Sequence, residues 1–185
     1  MKMNSNSKNL CKLFETVFHN ILYINQVYVK SSFECFNLLN TPIWQCIHPG
    51  VCKYFYNFLS TAEEHLSKGT PLKIVFELKK CPDIILDEYV FHVHPKQIEM
   101  DSFELERNIV DIVQSLEAVT LEEGVQTLKS NEEFTYSLKI CEEDSNIQLP
   151  IIDPNSSVVF VNSHEEEGPR IFAIKRNIKD KENET

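Results

Sequence analysis

Apolar residues recur every three or four positions in two long segments near the N-terminus, which predicts two amphipathic helices. The first covers residues from about 9 to 29, although polar residues, among them His19 and Asn20, interrupt it. The second begins at His48-Pro49-Gly50, where proline suits a first helical turn, and ends before Gly69. Residues 30–47 between them show no regular period and predict an irregular connection.

A third helix is expected to open at Asp101, because Asp101 and Glu104 have the spacing of a capping box. Elsewhere apolar and polar residues alternate, as in half-buried strands. The alternating or short apolar segments are residues 72–79, 88–94, 134–140, 147–152, 158–161 and 170–174. The short connection at Cys81-Pro82-Asp83 favours an antiparallel hairpin. The pattern predicts an α+β fold with three helices packed on one face of an antiparallel sheet.

The length and composition predict one well-packed domain. The chain has 185 residues, of which 42% are hydrophobic, and only 4 are glycine. We expect flexible tails at residues 1–9 and 179–185, a domain at residues 10–178, and an extended C-terminal segment within it from about residue 145 to 178. The N-terminal sequence has the features of neither a signal peptide nor a membrane span.

The charge of the chain restricts its partners. The formal net charge is −10, and lysine and arginine residues form no basic block. Such a chain lacks the surface that releases counterions from nucleic acid, so a protein partner is expected rather than tight direct binding to DNA. The six cysteines include no Cys-x-x-Cys pair, which is typical of reduced thiols in a nuclear or cytoplasmic protein.

Two groups of residues have partial metal-ligand spacing. His92 and His94 lie two apart on a predicted strand, and Cys46, His48 and Cys52 lie close together in sequence. Neither group has an evident set of further ligands, and no phosphate loop or nucleophile motif is present. We therefore expect a protein without catalytic activity, metal or cofactor, and a small metal or thiol enzyme is the alternative from another class.

A short motif lies near the C-terminus. Lys181-Glu182-Asn183 matches the three-residue degradation signal read by the mitotic ubiquitin ligase. The same residue types dominate the local composition, so an ordinary polar tail explains the match as well.

Two blocks of the sequence resemble one protein family. Ile21-Leu22-Tyr23-Ile24-x-x-Val27-Tyr28, followed by Pro42 and then by His48-Pro49-x-x-x-x-Tyr54, are similar to the HORMA accessory subunit of DNA polymerase zeta. The similarity is tightest over residues 19–68 and continues in outline through the later strands and the third helix. It implies the HORMA fold, with a C-terminal "safety belt" at residues 145–178.

The resemblance implies a non-catalytic adaptor. HORMA proteins add a partner peptide to the sheet as a strand while the safety belt wraps over it. The implied partner is a proline-containing motif of the polymerase zeta catalytic subunit, with other repair or cell-cycle proteins as further partners, and the implied setting is translesion synthesis and DNA repair in the nucleus. The implied peptide-binding residues are Tyr28, Tyr54, Phe58, Val159, Phe160, Arg170, Ile171, Phe172 and Ala173.

The sequence departs from the family in three places. The belt tryptophan of the family is absent, and Phe160 is its expected substitute. Few residues follow the belt match at residues 169–175, so a shorter belt and easier peptide release are expected. The arginine that the family places at its dimer contact is not evident near residues 109–113, so homodimerisation is not implied. A mitotic spindle-checkpoint HORMA protein, which would bind a checkpoint partner, is the alternative within the same fold.

Overall fold

The structure is a computed structural model that describes residues 3–80, 84–93, 100–122, 134–142, 156–162 and 171–177. The helices and strands, in chain order, are α1 (Met3–Ile24), β1 (Phe33–Leu38), β2 (Thr41–Cys46), α2 (Pro49–Ser67), β3 (Leu72–Lys80), β4 (Ile84–Val93), α3 (Ser102–Glu122), β5 (Phe134–Glu142), β6 (Ser156–Asn162) and β7 (Ile171–Asn177). No helix within these ranges is long and apolar enough to cross a membrane.

Five strands form an antiparallel sheet in the order β5-β3-β4-β7-β6. The helices cover one face of it, and alternate residues of the three strands β3, β4 and β5 enter the core between sheet and helices. The predicted α+β architecture, with helices on one face of an antiparallel sheet, is therefore confirmed.

Phe18 on α1 occupies the centre of this core and is fully buried. Its ring contacts Phe55 of α2 at a centroid distance of 5.5 Å, Phe76 of β3 at 5.6 Å and Phe91 of β4 at 5.9 Å. One aromatic side chain thus joins two helices and two strands, and its burial is among the larger contributions to the stability of such a core.

The connection predicted as irregular contains a separate two-stranded hairpin, β1–β2, beside α1. Two buried polar side chains of α1 hold β2. The Asn20 side chain accepts the N–H of Trp44 at 3.0 Å and donates to the Trp44 carbonyl at 3.2 Å, and His19 Nδ1 accepts the N–H of Cys46 at 3.3 Å. These bonds satisfy backbone groups of β2 that no neighbouring strand pairs within the described chain.

Both ends of α1 differ from the prediction. Residues 3–9, predicted to be a tail, form its first turns, because Ser7 is buried and Asn9 donates to the Met100 carbonyl at 2.8 Å. The helix also ends at Ile24 rather than near residue 29. Gln26 takes a left-handed φ of 53°, and the N–H of Val27 bonds to the Leu22 carbonyl at 3.0 Å, which together form a Schellman motif.

The predicted starts of the other two helices are confirmed. His48 caps α2, with its Nδ1 accepting the N–H of Gly50 at 3.2 Å. At α3, Asp101 accepts the N–H of Glu104 at 2.8 Å, and the Glu104 carboxylate accepts the N–H of Asp101 at 3.2 Å. This reciprocal pair is the capping box that the spacing predicted.

Candidate functional site

The sheet has two outer strands, β5 and β6. β6 shows a register irregularity between Val158 and Phe160, a feature that commonly disturbs pairing at an exposed edge. β5 pairs regularly with β3 along its whole length. Its other side, here called the β5 edge, pairs with no strand in the described part of the chain. Backbone N–H and C=O groups along such an edge are a template for another strand.

Four aromatic side chains, here called the aromatic cluster, lie beside the β5 edge: Tyr28, His48, Tyr54 and Tyr136. Tyr136 of β5 is in edge contact with Tyr54 of α2 at 5.7 Å and with Tyr28 at 6.5 Å, and the Tyr28 ring is nearly parallel to His48 at 6.1 Å. Three separate segments of the chain therefore bring aromatic groups to one border of the sheet.

Tyr136 anchors the cluster in the core. It stacks on Phe76 of β3 at 5.5 Å and contacts Phe55 of α2 at 5.7 Å. Burial, together with the neighbouring Tyr28 hydroxyl, raises the pKa of Tyr136 well above its ordinary value. Tyr136 therefore remains neutral, and the cluster offers an apolar surface with hydroxyl groups rather than a negative charge.

Tyr54 also binds the backbone of the β5 edge. Its hydroxyl accepts the N–H of Leu138 at 3.1 Å, so this N–H points away from β3. In an antiparallel strand the backbone groups of alternate residues point to the same side. Those of Tyr136 and Ile140 therefore also point outward, whereas those of Ser137 and Lys139 point toward β3.

Glu77 of β3 binds two side chains of β5 on the sheet face opposite the helices. Its buried carboxylate accepts the Ser137 hydroxyl at 2.8 Å and pairs with Lys139 of β5 and with Lys79 at 3.0 Å. Burial alone would raise the pKa of Glu77, but the hydrogen bonds from Lys139, Ser137 and Lys79 outweigh it and lower the pKa to about 2. The strand that carries the open edge is thus held firmly on its inner side.

The predicted peptide-binding residues that the structure describes lie in three places. Tyr28 and Tyr54 belong to the aromatic cluster, whereas Phe58, four residues after Tyr54, packs on Phe18 at 6.3 Å instead. Residues 171–173 on β7 pair with residues 91–93 of β4, and Val159 and Phe160 lie on β6. β6 and β7 lie toward the sheet edge opposite β5, so the structure does not bring these residues to the aromatic cluster.

Arg170 lies outside the described residues, as do residues 147–152 and the tail motif at residues 181–183. β5 and β6 are consecutive strands among the described residues and occupy opposite edges of the sheet. Sequence reasoning missed His48 and Tyr136 as members of the cluster. Tyr136 had a visible signal, since it alternates with polar residues on a predicted strand, but nothing in the pattern indicated that this strand lies at an edge.

The residues considered for metal binding have other contacts in the structure. Cys46 is buried and burial raises its thiol pKa, His48 caps α2, and the Cys52 thiol donates to the Cys46 carbonyl at 3.2 Å. Among the residues that the structure describes, no group of three or more His, Cys, Asp or Glu could hold a metal ion. His94 is outside that set.

No protein-family model matches the sequence, and no curated protein matches it. Solved structures do match the fold over almost the full length. A chain of the mitotic checkpoint complex gives a TM-score of 0.71 at 15% identity, over 94% of this chain and 98% of that one. HTP-2 of C. elegans bound to the HIM-3 closure motif gives 0.68 at 11% identity, over 95% and 91%. HTP-1 of C. elegans bound to HTP-3 motif-1 gives 0.61 at 11% identity, over 91% and 88%.

The chain has the HORMA fold, the architecture it shares with these structures. The fold expected from the resemblance is therefore confirmed. At identities of 11–15% the likeness is one of fold, and it does not by itself transfer a partner.

Proposed function

We propose that this chain is a non-catalytic adaptor that captures a proline-containing peptide of the DNA polymerase zeta catalytic subunit by strand addition, in support of translesion synthesis. The observation that carries the proposal is the β5 edge: a regularly paired outer strand whose far side is open in the described chain and bordered by the aromatic cluster. The C-terminal strands β6 and β7 lie toward the opposite edge of the sheet and leave the β5 edge uncovered by any described strand.

The physical chemistry of the edge suits an extended peptide. Backbone groups of Tyr136 and Ile140 offer hydrogen bonds to any strand, and side chains of the partner provide the selectivity. Tyrosine faces suit the pyrrolidine ring of proline, as in other proline-recognition grooves. Two of the solved structures with this fold, both of C. elegans proteins, are bound to motifs named for other proteins, HIM-3 and HTP-3.

Binding of a synthetic peptide tests the proposal. A peptide that contains the proline motif of the polymerase zeta catalytic subunit is titrated into the purified 185-residue chain by calorimetry, and we expect a Kd of about micromolar or tighter. Tyr54→Ala is expected to weaken binding by about tenfold or more, because a half-exposed aromatic group of the site is removed. The matched control is Tyr56→Ala on the same helix, whose side chain is 71% exposed and outside the cluster. Absence of binding by the folded wild-type chain would remove the proposal.

A spindle-checkpoint adaptor is the second candidate, and the similarity in fold to a chain of the mitotic checkpoint complex favours it. Such an adaptor would use the same edge with a different peptide. The two are separated by titrating a peptide from a checkpoint partner beside the polymerase peptide. Our proposal requires the polymerase peptide to bind more tightly, and the reverse order would replace it with the checkpoint function.

A further inference from the structure

The β1–β2 hairpin has a second open sheet edge. The hairpin is a two-stranded sheet of its own, so the outer side of β1, here called the β1 edge, pairs with no strand in the described part of the chain. The outer side of β2, in contrast, is bonded by Asn20 and His19 of α1. The hairpin is therefore held on one side and open on the other.

The register of the hairpin shows which backbone groups the β1 edge offers. Trp44 bonds to α1 through both its N–H and its carbonyl, so its backbone points away from β1. Its register partner is Cys35, and two residues directly opposite each other in an antiparallel pair point either both inward or both outward. The N–H groups of Cys35 and of Asn37, two residues on, therefore point outward. Those of Glu34 and Phe36 point toward β2.

β1 lacks the features that usually protect an exposed edge strand. Proteins blunt such strands with bulges, with proline or with several charged side chains. β1 pairs with β2 without a register shift, contains no proline and carries one charged residue, Glu34. Four of its six residues are exposed, and the Phe36 side chain is 48% exposed. An open strand with an exposed aromatic side chain is suited to pairing with another chain.

The face of the hairpin that carries Phe36 is acidic. Glu34 lies two residues before Phe36 and so points to the same face. Phe36 also lines a cavity of about 270 Å³ between the hairpin, α1 and α3, and the charged residues of the cavity wall are Glu15, Glu106 and Lys12. Burial raises the pKa of Glu15, so an incoming cation would stabilise its charged form. This face therefore suits side chains that are cationic or apolar.

We propose that the β1 edge binds an extended basic segment of a second protein as an added strand. The Cys35 and Asn37 N–H groups donate to carbonyl groups of that segment, while a basic side chain lies opposite Glu34 and an apolar one opposite Phe36. The site belongs to a different sheet from the β5 edge and does not rest on the proposed function. A second copy of this chain, with a net charge of −10, would bring further carboxylates to an acidic face and is disfavoured.

Titration of a designed peptide tests the site. The probe is a short end-blocked peptide in which every second residue is threonine and the residues between are arginine and leucine in turn. We expect it to bind the 185-residue chain with a Kd of about 100 µM or tighter. The same peptide with a fully N-methylated backbone keeps its charge but loses its N–H groups, and it should bind at least about tenfold more weakly. Equal binding of the two forms would show attraction by charge alone and would overturn the inference.

Two substitutions on β1 separate the backbone from the charge. Cys35→Pro removes an outward N–H and leaves the bonds to β2, and it should weaken binding by about tenfold, whereas Cys35→Ala keeps the N–H and should bind as wild type does. Slow exchange of the Phe36 amide checks that the hairpin has formed. Glu34→Gln leaves the backbone intact and should lower the affinity about threefold and reduce its dependence on salt. Wild-type affinity in Glu34→Gln, or in Cys35→Pro with the hairpin formed, overturns the inference.

Amide exchange in the wild-type chain locates the bound peptide. The peptide should slow exchange at Cys35 and Asn37 and leave Glu34 and Phe36 little changed. Protection along the β5 edge instead would overturn the inference. So would protection of Cys35 and Asn37 that appears without peptide and rises with protein concentration, because the occupant would then be a second copy. Failure of the polymerase peptide to bind changes none of these outcomes, so the two proposals fail independently.

Discussion

Single polar side chains decide how this molecule is assembled. His19 and Asn20 interrupt the apolar pattern of the first helix, and the sequence shows them only as interruptions. In the structure both are buried and bind the backbone of β2. Periodicity cannot reveal such a role, because the backbone groups that these residues satisfy belong to a hairpin that the pattern itself did not predict.

His19 makes the stability of the fold depend on pH. Burial lowers its pKa to about 4 from an ordinary value of 6.5, so the unfolded chain binds a proton more readily than the folded one between these values. The neutral imidazole makes its full contribution to the free energy of unfolding above pH 6.5, and this contribution is lost as the pH falls toward 4. At pH 5 the loss amounts to about 2 kcal/mol.

The substitution His19→Asn tests this assignment, because the Asn side-chain oxygen can still accept the Cys46 N–H and does not titrate. Urea unfolding at pH 7.5 and pH 5 should show a smaller loss of stability in the variant than in wild type. Equal losses in the two proteins would show that His19 is not the titrating group.

Glu77 also makes the fold lose stability in acid, but at a lower pH than His19 does. Because its pKa is lowered to about 2 in the folded chain, against about 4.3 for an unperturbed glutamate, its contribution is complete above pH 4.3 and is lost as the pH falls toward 2. Glu77→Gln should destabilise the protein by about 2 kcal/mol at pH 7, and the difference from wild type should shrink toward pH 2. Denaturant unfolding across this range checks it, with Glu34→Gln on exposed β1 as the control. A difference that stays constant down to pH 2 would contradict the assignment.

At the scale of elements, strongly periodic segments were predictable and weakly periodic ones were not. The helix start at His48, the capping box at Asp101 and the alternating β3 follow directly from local patterns. β1 was not predicted, because only Phe33 is buried along it and buried and exposed residues do not alternate. The turn of this hairpin uses left-handed residues at Leu39 and Asn40, with φ of 47° and 66°, and leucine gives no signal for that conformation.

The end of α1 offers a test at this scale. Gln26 adopts φ 53°, where a side chain is strained and glycine is the usual residue. Gln26→Gly should therefore stabilise the protein by about 0.5–1 kcal/mol, measured as a shift of the urea midpoint. Gln45→Gly on β2, where the backbone is extended, should destabilise it. A loss of stability from Gln26→Gly would mean that the Gln26 side chain makes contacts worth more than the backbone strain.

At the scale of the whole molecule, local patterns predicted the strands but not their order. Alternation identifies a half-buried strand and does not say which strand lies next to it. The C-terminal strand β7 pairs with β4 and leaves β5 at the border, so the edge suited to a partner could be located only from the fold. Tyr54 was expected at the peptide site only through the resemblance, and the structure shows its side chain 39% exposed with its hydroxyl bonded to the β5 edge.

Amide exchange with the polymerase peptide bound tests the central claim most directly. Because the N–H groups of Tyr136 and Ile140 point outward, added peptide should slow their exchange strongly, whereas the amides of Ser137 and Lys139, already bonded to β3, should change little. This alternation along a single strand is what strand addition at the β5 edge predicts. A bound peptide that leaves Tyr136 and Ile140 exchanging freely, and protects amides of β6 instead, would contradict it.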